Sequence, residues 1–353
     1  MTSCSVVGRS VGAQREPGAA VNRFRIPSSR DRAVAASKRP VAFDPSVSVG
    51  SVRLANPVMT ASGTAGHSVE LAPYGDLGRL GAFVAKSLAA YPWAGNPAPR
   101  VHPTTQGMIN AVGLQGPGVT FWLAEELPAL VATGARIIAS IWGRSVEDFA
   151  QAAAQLADAP SSVIAVEVNL SCPNLEGRRG IFAHDAVLSA EVIAATAVCG
   201  RPRWAKLSPN TDRVVDVAAA VSEAGAEAIT LSNTLLGMVL DPATGLPALG
   251  AGGGGYSGRP VHAVAVRTVY DVHAALPHVP IVGVGGVANG WDAAELMLAG
   301  ASAVQVGTAT FADPAAPQKV QRELLAWCVM HGVGPGELTG LAHRGGLVSS
   351  PNA

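Results

Sequence analysis

From residue 57 onward the chain repeats one unit, a short β-branched or apolar run followed by an Ala-rich stretch with helical spacing. The runs are "PVMTAS" (57–62), "AFVAKS" (82–87), "RIIASI" (136–141), "VIAVEVNL" (163–170), "RWAKLS" (203–208), "EAITLS" (227–232), "PIVGVG" (280–285) and "AVQVG" (303–307). Hydrophobicity that continues from residue to residue implies strands covered on both faces, as in parallel sheets flanked by helices. Eight such units over about 250 residues are what an α/β fold of the (β/α)8 TIM barrel type requires. A doubly wound open sheet satisfies the same periodicity. Helices fit between the runs. "SVEDFAQAAAQLA" (145–157) has Ser145 as its cap with Asp148 three residues on, and "TDRVVDVAAAVSEAG" (211–225) is closed by a glycine. Ahead of the first unit, "SVSVGSVRLANP" alternates around Gly50 as a short N-terminal β-hairpin.

A chain of 353 residues with 48% hydrophobic content and 40 glycines can bury one large core. Only 14% of residues are charged and the formal net charge is zero, which argues against a nucleic acid or an acidic surface as partner. The charge is unevenly spread. Residues 1–40 carry eight Lys or Arg against Glu16 and Asp31, a local charge of +6 that leaves −6 on the rest. That stretch has neither a sustained period nor an apolar core long enough for a signal peptide or membrane span. We therefore expect a disordered basic tail over 1–41, a barrel over 42–345 and a C-terminal tail over 346–353, in a cytoplasmic protein with no membrane contact. Four cysteines without CxxC spacing and eight histidines without an HxH or HxxxH pair exclude a disulfide framework and a zinc site, and no metal is expected. Cys199 and Cys328 read as inert residues buried on helices.

The chemistry gathers at the ends of the runs. Each is apolar until its last positions, where polar residues or glycine appear: Ser62, Lys86 and Ser87, Ser140, Asn169, Lys206 and Ser208, Ser232 and Asn233, Gly285 and Gly286, Gly307 and Thr308. In a parallel barrel these ends share the C-terminal mouth, where catalysis occurs in this fold. A buried ammonium is costly unless it meets an anion or acceptor, so Lys86 and Lys206 point to a ligand approached from two sides. "GVGGVANG" (283–290), followed by the helical "WDAAELMLAG", offers glycine amides at a helix N-terminus, and "VGTATF" (306–311) adds a second set. Together they read as a phosphate site. "GAGGGG" (250–255) formally satisfies GxGxxG but follows no strand, so it reads as a flexible lid. Phosphate, lysines and amides suit flavin mononucleotide, FMN, whose ring needs a cation near its N1 and C2 oxygen side; Lys206 is the candidate. In "VNLSCPN" (168–174), Cys172 stands between Asn169 and Asn174. Its thiolate is a base if its pKa is lowered from about 8.5; an inert buried thiol is the alternative.

These residues also resemble a family. "NPVMTASGTAG", "LGAFVAKS", "GNPAPRV", "GMINAVGLQGPG", "VEVNLSCPN", "AKLSPN", "SNTLLG", "GVGGVAN" and "GASAVQVGTATFADP" together look like dihydroorotate dehydrogenase, in family order from about residue 44 to 315. A cysteine base is similar to class 1, and "NTLLGMVLDPATGLPALGAGGGGYSG" looks like its B subtype, which passes electrons to NAD through a separate subunit carrying FAD and a [2Fe-2S] cluster. The resemblance implies oxidation of dihydroorotate to orotate, with Cys172 taking the C5 proton. It implies that Asn110, Asn169, Asn174 and Asn233 hydrogen bond to orotate with help from Thr234. Lys86 would face both substrate and flavin, and backbone amides near Gly113 and Leu114 would take the carboxylate. For FMN it points to Ala61, Ser62, Gly63, Lys86, Ser87, Asn169, Lys206, Thr230, Gly258, Gly285, Gly286, Gly307 and Thr308. Ser140 stands where the family commonly has Asn. "EGRRGIF" (176–182) would open and close over the pocket, and a homodimer is expected. Open alternatives are a related FMN barrel acting on another dihydropyrimidine, a phosphate-binding barrel without redox chemistry, and a silent FMN-binding partner.

Overall fold

Eight parallel strands form the centre of the computed structural model, which describes residues 43–171, 173–174 and 180–347. They are β1 (Val58–Thr60), β2 (Phe83–Val84), β3 (Ile137–Ile141), β4 (Val163–Asn169), β5 (Arg203–Lys206), β6 (Ala228–Leu231), β7 (Ile281–Val284) and β8 (Ala303–Val306). Each falls inside one of the eight expected runs. Neighbours pair in chain order from β2 to β7, and β8 lies between β7 and β1. A parallel bridge from Met59 to Ala82, with the Gly81 amide donating to the Val58 carbonyl at 2.8 Å, joins β1 to β2 and closes the ring. The closure removes both sheet edges, so the open-sheet alternative falls.

Helices flank the strands: α1 (Val146–Gln155), α2 (Ala186–Ala195), α3 (Val214–Glu223), α4 (His262–Ala275), α5 (Gly290–Ala299) and α6 (Ala316–His331). Ser145 caps α1 as expected, its Oγ accepting from the Asp148 amide at 3.1 Å. α3 starts three residues later than its pattern suggested. The Thr211 hydroxyl takes the Arg213 amide at 3.1 Å, so the local turn outcompetes the first helical turn. Between β2 and β3, residues 119–132 are helical with a π turn at Trp122–Glu126. Pro128 follows after Leu127; without an N–H it cannot complete the ordinary ladder, and a widened turn accommodates it.

The expected hairpin pairs Val47–Val49 with Val52–Leu54 and closes the N-terminal end of the barrel. Its apolar side chains are buried, and the Ser51 hydroxyl donates to Glu227, the residue before β6, at 2.6 Å. One expectation fails at the opposite end. The glycine-rich stretch is not a flexible lid throughout, because Gly254–Gly258 is a strand of an antiparallel sheet with Leu235–Gly237, Gly107–Asn110 and Val101–Pro103. The glycines permit close backbone packing: a Cβ on Gly254 would sit 2.3 Å from the Asn110 carbonyl oxygen, and one on Gly255 would sit 2.1 Å from Thr234 Oγ1. This sheet binds the loops after β2 and β6 together at the mouth.

Candidate active site

Alternation along β4 sends Glu167 and Asn169 to the same, inward face. Lys206 at the end of β5, Thr230 in β6 and Gln305 in β8 meet Glu167 inside the barrel. The Lys206 ammonium donates to Ser62 Oγ at 2.9 Å, Glu167 Oε1 at 3.4 Å and Gln305 Oε1 at 3.4 Å. Glu167 Oε2 accepts from Gln305 Nε2 at 2.7 Å and from Thr230 Oγ1 at 3.3 Å. Sequence reasoning missed Glu167 and Gln305. The signal was present: a carboxylate within "VIAVEVNL" and an amide within "AVQVG" break runs that are otherwise apolar.

Nearer the mouth, Asn169 is a hub. Its Nδ2 donates to Ser87 Oγ at 3.4 Å, and its Oδ1 accepts from Asn233 Nδ2 at 3.3 Å and the Ser171 amide at 3.2 Å. Ser140 is fully buried and shares a hydrogen bond with Ser87 at 2.9 Å. The shorter side chain is thus satisfied by a neighbouring hydroxyl. Asn110 Nδ2 donates to the Gly255 carbonyl at 3.3 Å, tying it to the antiparallel sheet. Lys86 donates to the Gln115 carbonyl. Its pKa is pulled below the ordinary lysine value first by burial and then by Arg100, with Glu126 pulling the other way.

Two adjoining cavities result. One is lined by Ala61, Gly63, Lys206, Gly258, Gly285, Gly286, Gly307 and Thr308. The other is lined by Lys86, Ser87, Gly113, Leu114, Asn169, Ser171 and Ser208. Gly63, Asn110, Asn233 and Thr234 border both. Gly113 and Leu114 both have left-handed φ, of 73° and 60°, which for leucine costs roughly 1–2 kcal/mol and marks a turn enforced by its surroundings.

Most expected site residues therefore converge, with exceptions. Ser62 acts on Lys206, while Thr230 and Ser140 are fully buried behind the cavity walls and border neither cavity. Cys172 and residues 175–179 lie outside the described residues. The backbone of Pro173–Asn174 pairs with Gly180–Ile181, and the Asn174 side chain lies outside the description. The phosphate expectation needs a correction. Four amides at the start of α5 are already engaged: Ala288 and Asn289 donate to Asp292 Oδ2 at 2.9 and 3.2 Å, Gly290 to Glu323 Oε2 at 2.9 Å, and Asp292 to Asn289 Oδ1 at 3.0 Å. The glycine corners at Gly285–Gly286 and Gly307–Thr308 remain on the cavity wall. His262 braces the first of these, its Nδ1 sharing a hydrogen bond with the Gly285 carbonyl at 2.8 Å.

A flavin fits this donor set. Gly63 borders both cavities with φ 85°, a backbone that favours glycine, and no protein atom lies within 4 Å of where a Cβ would be, so the wall there is open space beside the cavities. The wall combines a buried cation, glycine backbone and amide side chains, the mixture a planar heterocycle with a phosphate tail requires. Among the described residues no helix is long and apolar enough to cross a membrane.

Comparison with known proteins agrees with this geometry. The sequence profile of dihydroorotate dehydrogenase matches residues 46–327. The chain is 43% identical over 289 residues to the dihydroorotate dehydrogenase B (NAD(+)) catalytic subunit of Citrifermentans bemidjiense, covering 82% of this chain and 94% of that protein. It is 41% identical over 297 residues to the protein of the same name from Geobacter metallireducens, covering 84% and 96%. A Solibacter usitatus protein provisionally named dihydroorotate dehydrogenase A (fumarate) is 44% identical over 274 residues, covering 77% and 90%. The chain belongs to the dihydroorotate dehydrogenase family.

Proposed function

We propose that this chain is the FMN-carrying catalytic subunit of a class 1, B-type dihydroorotate dehydrogenase, oxidising (S)-dihydroorotate to orotate in the synthesis of UMP. The observation that carries the reading is the pair of adjoining cavities at one barrel mouth. The first has a buried lysine and glycine corners, the second has asparagines and a second lysine, and Asn110 and Asn233 stand between them. The chemistry FMN supplies when bound is acceptance of the hydride that leaves C6 of the substrate. Gly285, Gly286, Gly307 and Thr308 would hold its phosphate through backbone amides, Ala61, Gly63 and Gly258 would line its wall, Ser62 would serve through Lys206, and Ser87 would meet it from the second cavity. Lys206 supplies the cation on the N1 and C2 oxygen side. Ser140 and Thr230 serve through the side chains they bond, Ser87 and Glu167.

Asn110, Asn169, Asn174 and Asn233, with Thr234, orient a flat substrate, because each amide both donates and accepts. Lys86 and the amides at Gly113 and Leu114 take the carboxylate. Cys172 removes the C5 proton, leaving electrons for the new C5–C6 double bond as the hydride departs. The barrel over 42–345 is the working unit of this reading, which asks no chemistry of 1–41 or 346–353. We place the protein in the cytoplasm as a homodimer. Electrons leave to NAD through a partner subunit carrying FAD and a [2Fe-2S] cluster; the names of the B-type relatives, which give NAD(+) and a catalytic subunit, support the acceptor and the partner. The fumarate-type relative supports a second acceptor, and a screen of NAD, fumarate, quinone and oxygen on complexes captured from native cells decides between them.

The decisive experiment is anaerobic mixing of the purified protein with dihydroorotate. A yellow protein that bleaches is expected, and Cys172→Ala should slow bleaching by roughly 10²–10⁴-fold. A colourless protein, faster turnover of dihydrouracil than of dihydroorotate, or an unaffected Cys172→Ala variant would overturn the reading.

A further inference from the structure

Glu167 has no direct contact with substrate or cofactor in the roles above, yet it is a fully buried carboxylate in the middle of a strand, and such a charge is costly unless fully partnered. Its partners come from three other strands. Oε1 takes the Lys206 ammonium, and Oε2 takes Gln305 and Thr230. Gln305 is fixed from both ends of its amide, since its Nε2 donates to Glu167 and its Oε1 accepts from Lys206. Lys206, Glu167 and Gln305 thus form a closed triangle, and the ammonium cannot swing without breaking it. The third ammonium contact, Ser62, comes from the segment after β1 at the mouth. For stability alone, well-packed apolar residues would serve such a position equally well, so the retained charge asks for another reason.

We propose that Glu167 is a positioning residue for electron transfer that acts through Lys206. It holds the ammonium against the cavity and offsets part of its charge. That offset weakens the pull of Lys206 on the negative charge a flavin gains on reduction, and so lowers the flavin midpoint potential. The inference rests on the reading that FMN occupies the cavity bordered by Lys206.

The test is a redox titration of the holoprotein with an indicator dye. Lys206→Gln should lower the potential. Glu167→Gln should raise it, by an amount equivalent to roughly a tenfold shift in the reduction equilibrium, about 30 mV for a two-electron couple. If Glu167→Gln yields no holoprotein, Glu167→Asp withdraws the carboxylate by one methylene, and a smaller rise is expected. A potential at or below wild type in these Glu167 variants would overturn the proposal. A purely structural Glu167 would lower the melting temperature and leave the potential of assembled holoprotein in place. A Lys206→Gln variant with unchanged potential would instead count against the cavity assignment itself.

Discussion

The two lysines at the barrel mouth are built in opposite ways. Lys206 is held inside the strands with three side-chain acceptors, and its side chain is only 5% exposed. Lys86 sits at the rim, partly buried, with its ammonium on a backbone carbonyl and, among the described residues, no carboxylate within ion-pair distance. Its surroundings are also incompletely paired. His67 Nε2 and Glu126 Oε2 are buried without a hydrogen-bond partner among the described residues, and His67 Nδ1 lies 3.9 Å from Glu126 Oε2. One cation is completed by the fold. On the proposed reading the other is completed by an anionic substrate, the division expected when one lysine serves a resident cofactor and the other a substrate that comes and goes.

The comparison breaks most visibly on Lys206→Met. That change leaves Glu167 buried without its counter-ion, bonded only to Gln305 and Thr230, so unfolding should become easier by about 3–5 kcal/mol, with bound flavin lost, as read by thermal melts and absorbance. Lys86→Met should do the reverse. We expect little change in melting temperature but a rise in KM for dihydroorotate of roughly tenfold or more, the worth of a hydrogen bond to a charged group. If Lys86→Met melts like Lys206→Met, the rim lysine is structural and the contrast disappears.

The smallest effect sharpens the contrast through pH. Burial, followed by the Lys86 charge, pushes the His67 pKa from its ordinary 6.5 down to about 4, with Glu70 opposing. The unfolded chain therefore takes up a proton at His67 below pH 6.5 while the folded chain resists until about 4, so stability contributed at this site falls as pH drops through that window. Glu126 has its pKa raised by burial and Glu70, against Lys86, and contributes the opposite slope just above 4.5. His67→Phe should flatten the acid side of the melting-temperature profile. An unchanged profile would mean that the rim is better solvated than its geometry implies.

Much of this was legible in the residues. All eight strands, the N-terminal hairpin, the Ser145 cap and the convergence of Lys86, Asn169, Asn233 and Lys206 on one mouth follow from local pattern and strand ends, whereas Asn110 was indicated only by the family resemblance. The glycine-rich segment was misread because its pairing partner, Gly107–Asn110, lies more than a hundred residues earlier. The α5 amides were misassigned because Asp292 and Glu323 reach back to claim them, a competition that glycine spacing does not reveal.

Strand positions, caps and the chemical character of each strand end are local matters, set by side-chain period and by which residues tolerate which backbone, and the amino-acid order by itself determined them. The tertiary structure alone decided the burial and pairing of Glu167. Its partners Gln305 and Lys206 lie 138 and 39 residues away, and they meet only when the ring closes in a single register. Since one residue of slip turns every side chain to the opposite face, that register places a carboxylate under the lysine instead of in the surrounding helical layer.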